Sequence, residues 1–292
     1  MNKKVFKGIF YSGSGSLWWG ILGVIYFKYF SFVGPVELVV HRALWTALIL
    51  FPIIIYFNKW ILLKKIFKYK KKILLLLVSS LLIFSNWSVW IYAVATNRII
   101  DGSFGYFIFP IISVLFGFIF FKEKLNKKRI LSIILVLISI IFLLFNFKDL
   151  PWIGLSLAII WSVYNLLRKK INIDTEVGLF IESLFILPIV ILIFYFLIKN
   201  GVNDFSFSNP PLMLLLFLAG PMTVIPLFLY VRGVELSGLG PSGMIFFITP
   251  TCQFLLGFFY YDEPFSLYKF FSFIIIWLAV IIYLRDLYIK ND

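Results

Sequence analysis

Apolar side chains run along this chain in ten long stretches, at residues 8–30, 36–57, 73–95, 103–121, 130–145, 152–167, 178–198, 212–231, 240–260 and 266–284. Short polar segments rich in lysine separate them. Bilayer hydrocarbon is about 30 Å thick and a helix rises about 1.5 Å per residue, so one crossing takes roughly 20 mostly apolar residues. The pattern predicts an all-α integral membrane protein with ten transmembrane helices. Met1-Asn2-Lys3-Lys4 followed by an apolar stretch has the outline of a signal peptide, but the stretch continues to Phe30 and reads as a retained first helix.

Composition agrees. At 62% hydrophobic and 14% charged residues, with a mean hydropathy of +1.02, the chain holds more apolar side chain than a soluble core absorbs. A net charge of +14 would suit nucleic acid if it were clustered on one surface, but apart from Lys28, Arg42 and Lys269 the Lys and Arg residues lie in the inter-helix segments. That distribution points to anionic lipid and to topology, and no nucleic-acid partner is expected. Of the 27 basic residues, 21 fall in segments that share a side with the N-terminus, five fall on the other side, and Arg42 lies within a stretch. The positive-inside rule then places both termini in the cytoplasm.

The chain also carries an internal repeat. Shifting it by 140 residues lays Phe107–Glu123 over Phe247–Glu263 with seven of 17 positions identical, including Pro110/Pro250, Gly117/Gly257 and Glu123/Glu263. The same shift brings Arg42 onto Glu182, and a shift of 142 brings Trp19 onto Trp161. Two units are expected, 1–147 and 148–292, with five spans each. Because five is odd, the second unit inserts inverted, an architecture in which many secondary transporters place a midplane site between the halves.

Arg42 and Glu182 are the ionisable groups most clearly inside spans, where they are costly without a cavity or a partner. Each sits about six residues deep from opposite surfaces, which leaves roughly 12 Å between their levels. They are expected to mark opposite ends of one polar pathway, or else each snorkels to its own interface. His41 is read either as part of a proton relay or as a hydrogen-bonded interfacial side chain. Asn86 needs partners in hydrocarbon. With Trp87, Trp19, Tyr106, Trp161 and Tyr164 it suggests an aromatic, amide-lined cavity for an organic solute. Pro110 and Pro250, each preceded by glycines, are read as paired helix breaks beside a binding site, or as kinks that serve packing. Asp101 is read as a helix cap or, less readily, as a solute contact, and Glu123 and Glu263 are expected to be interfacial.

Catalytic, cofactor and metal sites are not expected. Cys252 is the single cysteine and His41 the single histidine, and the 13 acidic residues are scattered. An intramembrane enzyme acting on lipid or isoprenoid is the alternative from another class, and a membrane scaffold is the third. A primary pump is disfavoured because no Walker sequence is present.

Tyr26-Phe27-Lys28, His41-Arg42, Asn86-Trp87, Gly105-Tyr106-Phe107-Ile108 with Pro110, Arg168-Lys169-Lys170, Ile181-Glu182 and Leu187-Pro188 span both halves. On these residues the chain resembles the RarD branch of the EamA-type drug/metabolite transporter superfamily. The resemblance implies two EamA-type units, a pathway gated by alternating access, and export of amino acids, metabolites or drugs. The chloramphenicol label that RarD relatives often carry names a phenotype. Where relatives often have Asn before the fourth-span proline this chain has Phe109, and Phe246-Phe247 replaces a Gln-Tyr pair before the ninth, which implies a more apolar pocket. The expected function is secondary transport of a small organic solute, with proton coupling as one role open to Glu182; oligomeric state is not legible.

Overall fold

The structure, a computed structural model, describes residues 3–30, 32–96, 98–144, 152–260 and 267–289. Glu263 and the unit boundary expected at 147/148 lie outside the described residues, as does the side chain of Asp101. The elements are α1 (Lys3–Trp18), a π-helical turn (Trp19–Gly23), α2 (Val24–Tyr29), α3 (Pro35–Tyr56), α4 (Trp60–Phe67), α5 (Lys70–Ala95), α6 (Ile99–Phe121) and α7 (Lys127–Leu144). There follow α8 (Trp152–Ile171), α9 (Thr175–Lys199), α10 (Pro210–Phe217), α11 (Ala219–Ser237), α12 (Leu239–Ile245), α13 (Ile248–Tyr260) and α14 (Leu267–Ile289).

Each apolar run falls on one helix or on consecutive helices. Among the described residues, seven helical stretches are long and apolar enough to cross a membrane: Pro35–Tyr56, Lys70–Ala93, Phe104–Phe121, Thr175–Lys199, Pro210–Ser237, Leu239–Tyr260 and Phe270–Ile289. The other three runs differ for local reasons. The first is interrupted by the π turn, and α7 and α8 carry basic triplets at Lys127–Arg129 and Arg168–Lys170 that shorten their apolar length.

Proline explains two breaks and fails to make a third. Pro221 offers no N–H to the Phe217 carbonyl, and the helix is interrupted at Leu218 between α10 and α11. Pro250 leaves the Phe246 carbonyl without its usual partner; Thr249 N–H takes it instead at 2.9 Å, and the chain breaks at Phe246–Phe247 between α12 and α13. At Pro110, read either as a helix break or as a kink that serves packing, α6 continues without a break from Ile99 to Phe121. Gly243 of α12 packs against the Pro110 carbonyl and Ser113 at this point.

The main packing pairs are α1 with α11, α5 with α8, α6 with α8, α6 with α12, α3 with α9, α3 with α11, α5 with α9 and α7 with α14. Small residues permit the closest of these. Gly8 and Ser12 of α1 face Ser237 and Gly233 of α11, Gly15 lies on the backbone of Pro226 and Tyr230 in the same helix, and Gly105 of α6 lies on Gly154 of α8. Without a hydrophobic difference between lipid and side chain, such close backbone approach supplies the van der Waals contact that joins membrane helices. Large apolar side chains point outward instead, as with Phe118, Ile119 and Phe120 on α6 and Ile134, Leu137 and Ile141 on α7. On α7 the inward residues include Ser132 and Ser139, the latter donating to the Ser272 carbonyl at 2.9 Å.

The start of α1 and the end of α14 meet the same end of the bundle, because Gly8 packs on Ser237 while the Tyr283 hydroxyl lies beside Gly240. Glu123, just after α6, clasps this end. Its oxygens accept the Leu239 and Gly240 N–H groups at 2.9 Å each, and Lys169 donates to it at 3.1 Å. Glu123 thus joins α6, α8 and the start of α12.

Candidate functional site

The half of the bundle away from the termini holds a pocket of about 50 Å³, into which several stretches of chain bring aromatic residues. The π turn places Trp19 there, α5 brings Trp87 and Trp90, α6 Tyr106, α8 Trp161, and Phe246 comes from the break between α12 and α13. A π turn holds one extra residue per hydrogen-bonded ring, which turns Trp19 inward; such turns are frequent at functional sites. Trp19 meets Trp161 edge-on at 5.4 Å between ring centres, and Phe109 backs Phe246 at 4.8 Å.

Arg42 projects into this pocket from α3, two turns beyond its proline start, and only 5% of its surface is exposed. Its Nε donates to the Thr223 hydroxyl at 3.0 Å, and the guanidinium lies over the rings of Phe27 at 5.0 Å and Trp87 at 4.9 Å. Among the described residues no carboxylate stands within ion-pair distance of it. Beside it in the lining, Asn86 Nδ2, Trp161 Nε1 and Gln253 Oε1 are buried without a hydrogen-bond partner.

Trp87 also lines a second, smaller cavity on the termini side, where Glu182 of α9 is found with Thr46 and Ser183. Glu182 accepts from Ser79 at 2.5 Å and from Tyr164 at 3.2 Å, and Arg168 Nη1 lies 3.7 Å away. Arg168 also donates to the Thr175 carbonyl at 3.3 Å, while its Nε and Nη1 lack hydrogen bonds. Arg42 and Glu182 therefore occupy adjacent cavities with Trp87 between them and form no pair.

Of the other expected residues, Tyr164 stacks on Trp161 at 5.3 Å with its hydroxyl on Glu182, linking the two cavities. His41 lies elsewhere. Trp45 donates to its Nδ1 at 3.1 Å, which leaves Nε2 to donate to Glu37 at 3.3 Å, and the ring packs among Phe194 and Phe205. Glu37 in turn accepts the N–H groups of Asp204 and Phe205 at 2.7 and 2.9 Å, so His41 helps fasten the loop before α10. Adjacent helix positions face apart, and Arg42 and His41 do so here.

The EamA-like transporter family matches the sequence twice, over residues 6–145 and 151–285. The chain belongs to this family. Within the EamA-like transporters it falls in the RarD branch: it is 32% identical over 285 residues to Protein RarD of Escherichia coli K12, covering 97% of this chain and 96% of that one. An uncharacterized transporter of Vibrio cholerae is 34% identical over 280 residues, covering 96% and 92%. The uncharacterized transporter YojE of Bacillus subtilis is 32% identical over 280 residues, covering 95% and 93%. A solved crystal structure shares the fold, with a TM-score of 0.68 at 13% identity over 95% of this chain and 97% of that one. With its apolar helices, this EamA-like protein is a multi-pass membrane transporter.

Sequence reasoning missed several residues of this EamA-like site. Arg168 reads as one of three basic residues closing an apolar run, yet it is almost fully buried against Glu182, and Gly178 gives its guanidinium room. Thr223 and Gln253 carry no signal of their own, since a lone polar residue in a span is common. Phe246 was visible only as a departure from the family's amide.

Proposed function

We propose that this chain is a secondary transporter that carries a small organic solute across the bacterial cytoplasmic membrane by alternating access, with the Arg42 pocket as the solute site. The observation that carries this reading is one pocket combining a buried guanidinium free of acid partners, unpaired polar atoms and aromatic walls from several helices. A closed structural core satisfies its polar groups; a site built for a ligand leaves them for the ligand. Arg42 attracts an anionic group or forms an outer gate, Asn86, Trp87 and Tyr106 orient the solute, and Glu182 serves an inner gate or proton coupling.

The proposed architecture is ten crossings in two inverted five-helix units, 1–147 and 148–292, with both termini cytoplasmic. The double family match supports it. So does the packing, which keeps its pattern when the halves are exchanged. The pair α1·α11 exchanges with α8·α5, and α3·α11 with α9·α5, while α3·α9, α6·α12 and α7·α14 map onto themselves.

The test is counterflow in liposomes reconstituted with wild type, Arg42→Ala and Glu182→Gln, using labelled amino acids, nucleosides, amines and carboxylates. Solute exchange by wild type that falls in both variants at equal protein incorporation is expected. Exchange by wild type that is unchanged in both variants removes their proposed roles, and no exchange of any class by wild type counts against transport.

A further inference from the structure

We infer that the solute is an organic monoanion, a carboxylate on an apolar body with an uncharged hydrogen-bonding group such as an amide, rather than an amine or an amino acid with a free ammonium. This rests on the transport reading above and names the substrate class of the same site.

Three observations lead there. The first is charge. Among the described residues Arg42 is the one ionisable cation in the lining and no Asp or Glu lines the pocket, while Glu182 is walled off by Trp87 and engaged by Arg168, Ser79 and Tyr164. A guanidinium in a low-dielectric site calls for one opposite charge, and its fork matches a carboxylate. An ammonium would meet a like charge with no acid to offset it. The ring faces that could hold it nearest Arg42, those of Phe27 and Trp87, already carry the guanidinium. A dianion such as a phosphate monoester would leave one charge uncompensated for the same reason.

The second is geometry at Arg42. Thr223 holds Nε, and the terminal nitrogens have no hydrogen-bonding or acidic partner among the described residues, so the edge of the guanidinium that forms a two-pronged carboxylate contact is available.

The third is the set of unpaired polar atoms. Asn86 and Trp161 are 8% and 4% exposed, and each has a nitrogen donor without a partner, while Gln253 Oε1 is an acceptor without one. Two donors and one acceptor suit the carbonyl and N–H of an uncharged amide. Buried polar groups left unpaired by an analogue that lacks these atoms make the site selective. The remaining wall is aromatic and accepts a flat or branched apolar body.

The experiment measures binding to purified full-length protein in detergent by thermal shift and tryptophan fluorescence, at pH 7, with five probes: 3-phenylpropionate, N-acetyl-L-phenylalanine, 3-phenylpropionamide, L-phenylalanine and phenethylamine. The two carboxylates without an ammonium are expected to bind at least about tenfold more tightly than the other three, N-acetyl-L-phenylalanine the tighter of the two. Arg42→Gln is expected to erase the preference for 3-phenylpropionate over its amide. Arg42→Lys keeps part of it, and answers for the site if the glutamine variant does not fold.

The assignment is overturned if the amine, the amide or L-phenylalanine binds as well as the carboxylates, if the preference survives in Arg42→Gln, or if no carboxylate binds. Counterflow separates it from the transport reading. Arg42-dependent binding without exchange of the carboxylates leaves the anion site standing and sinks transport. Exchange of an amine or neutral solute leaves transport standing and sinks the anion site.

Discussion

Two of the buried guanidiniums in this bundle are compensated in opposite ways. Arg168 has a carboxylate, Glu182, and a backbone carbonyl; Arg42 has one hydroxyl and two aromatic faces. Stacking over an aromatic ring contributes about 0.5–2 kcal/mol, far less than the cost of burying an unpaired charge, so Arg42 is the group that gains most from a ligand. A third charged cluster, outside the spans, fixes the corner between α3 and α4. Lys59 donates to Asp174 at 2.7 Å and Glu176 at 3.2 Å, and Asp174 caps α9 by accepting the Val177 N–H. Burial pushes the Asp174 carboxyl up, but hydrogen bonding with Glu176 and Lys59 and the Lys59 charge outweigh it and hold it below its ordinary value. A depressed folded-state pKa contributes stability above the unfolded value, about pH 4, that is lost as pH falls through the folded one. Melting temperature in detergent should therefore fall below about pH 4 by less in Asp174→Asn than in wild type, while near pH 7 the variant should melt lower than wild type by the equivalent of about 1 kcal/mol. An equal acid response in both proteins would remove the assignment. Arg42 and Asn86 stood out in the sequence because a charge or amide in an apolar run needs a reason. Arg168 did not, since a basic residue at the end of a run looks solvated until another helix is seen to cover it.

At the scale of the helix, small residues decide who touches whom. A Cβ on Gly105 would run into the Gly154 carbonyl, whereas nothing lies within 4 Å of the Cβ position at Gly34. Gly105→Ala should destabilise the folded protein by about 1–3 kcal/mol, as overpacking does, and Gly105→Leu should cost more because α6 and α8 must then separate. Gly34→Ala should stay within about 1 kcal/mol of wild type. Thermal melting in detergent checks this, and equal melting of Gly105→Ala and Gly34→Ala would contradict the packing. Apolar runs revealed where helices lie because lipid demands length and hydrophobicity. They hid where helices break: Pro250 breaks its helix and Pro110 does not. The π turn at Trp19–Gly23 has no proline at all, and only the approach of Gly20 to Thr249 and Cys252 gives it a visible reason.

For the whole molecule, the Arg42 pocket and the Glu123 clasp lie in opposite halves of the bundle. Glu123 comes from the first half of the chain and holds the start of α12 in the second, through two backbone N–H groups and alongside Lys169. In an alternating-access transporter that is a closed gate at the termini end, and the arrangement is outward-facing if the termini are cytoplasmic. Rocking to the other state must break these charge-assisted bonds, each contributing about 1.5–3 kcal/mol, and every 1.4 kcal/mol removed shifts the balance about tenfold toward the inward state. Accessibility reads that balance directly. With the native Cys252 replaced by serine, Val24→Cys places one thiol in the pocket lining. A membrane-impermeant thiol reagent added to intact cells should label it, and Glu123→Ala should slow that labelling by at least about tenfold while speeding labelling in inside-out vesicles. Slower labelling from both sides would mean that the variant misfolds; Glu123→Gln, which keeps the shape and loses the charge, should then give the smaller shift in the same directions. If Glu123→Gln leaves both rates as they are in the parent, the clasp holds the fold together and does not gate the pathway.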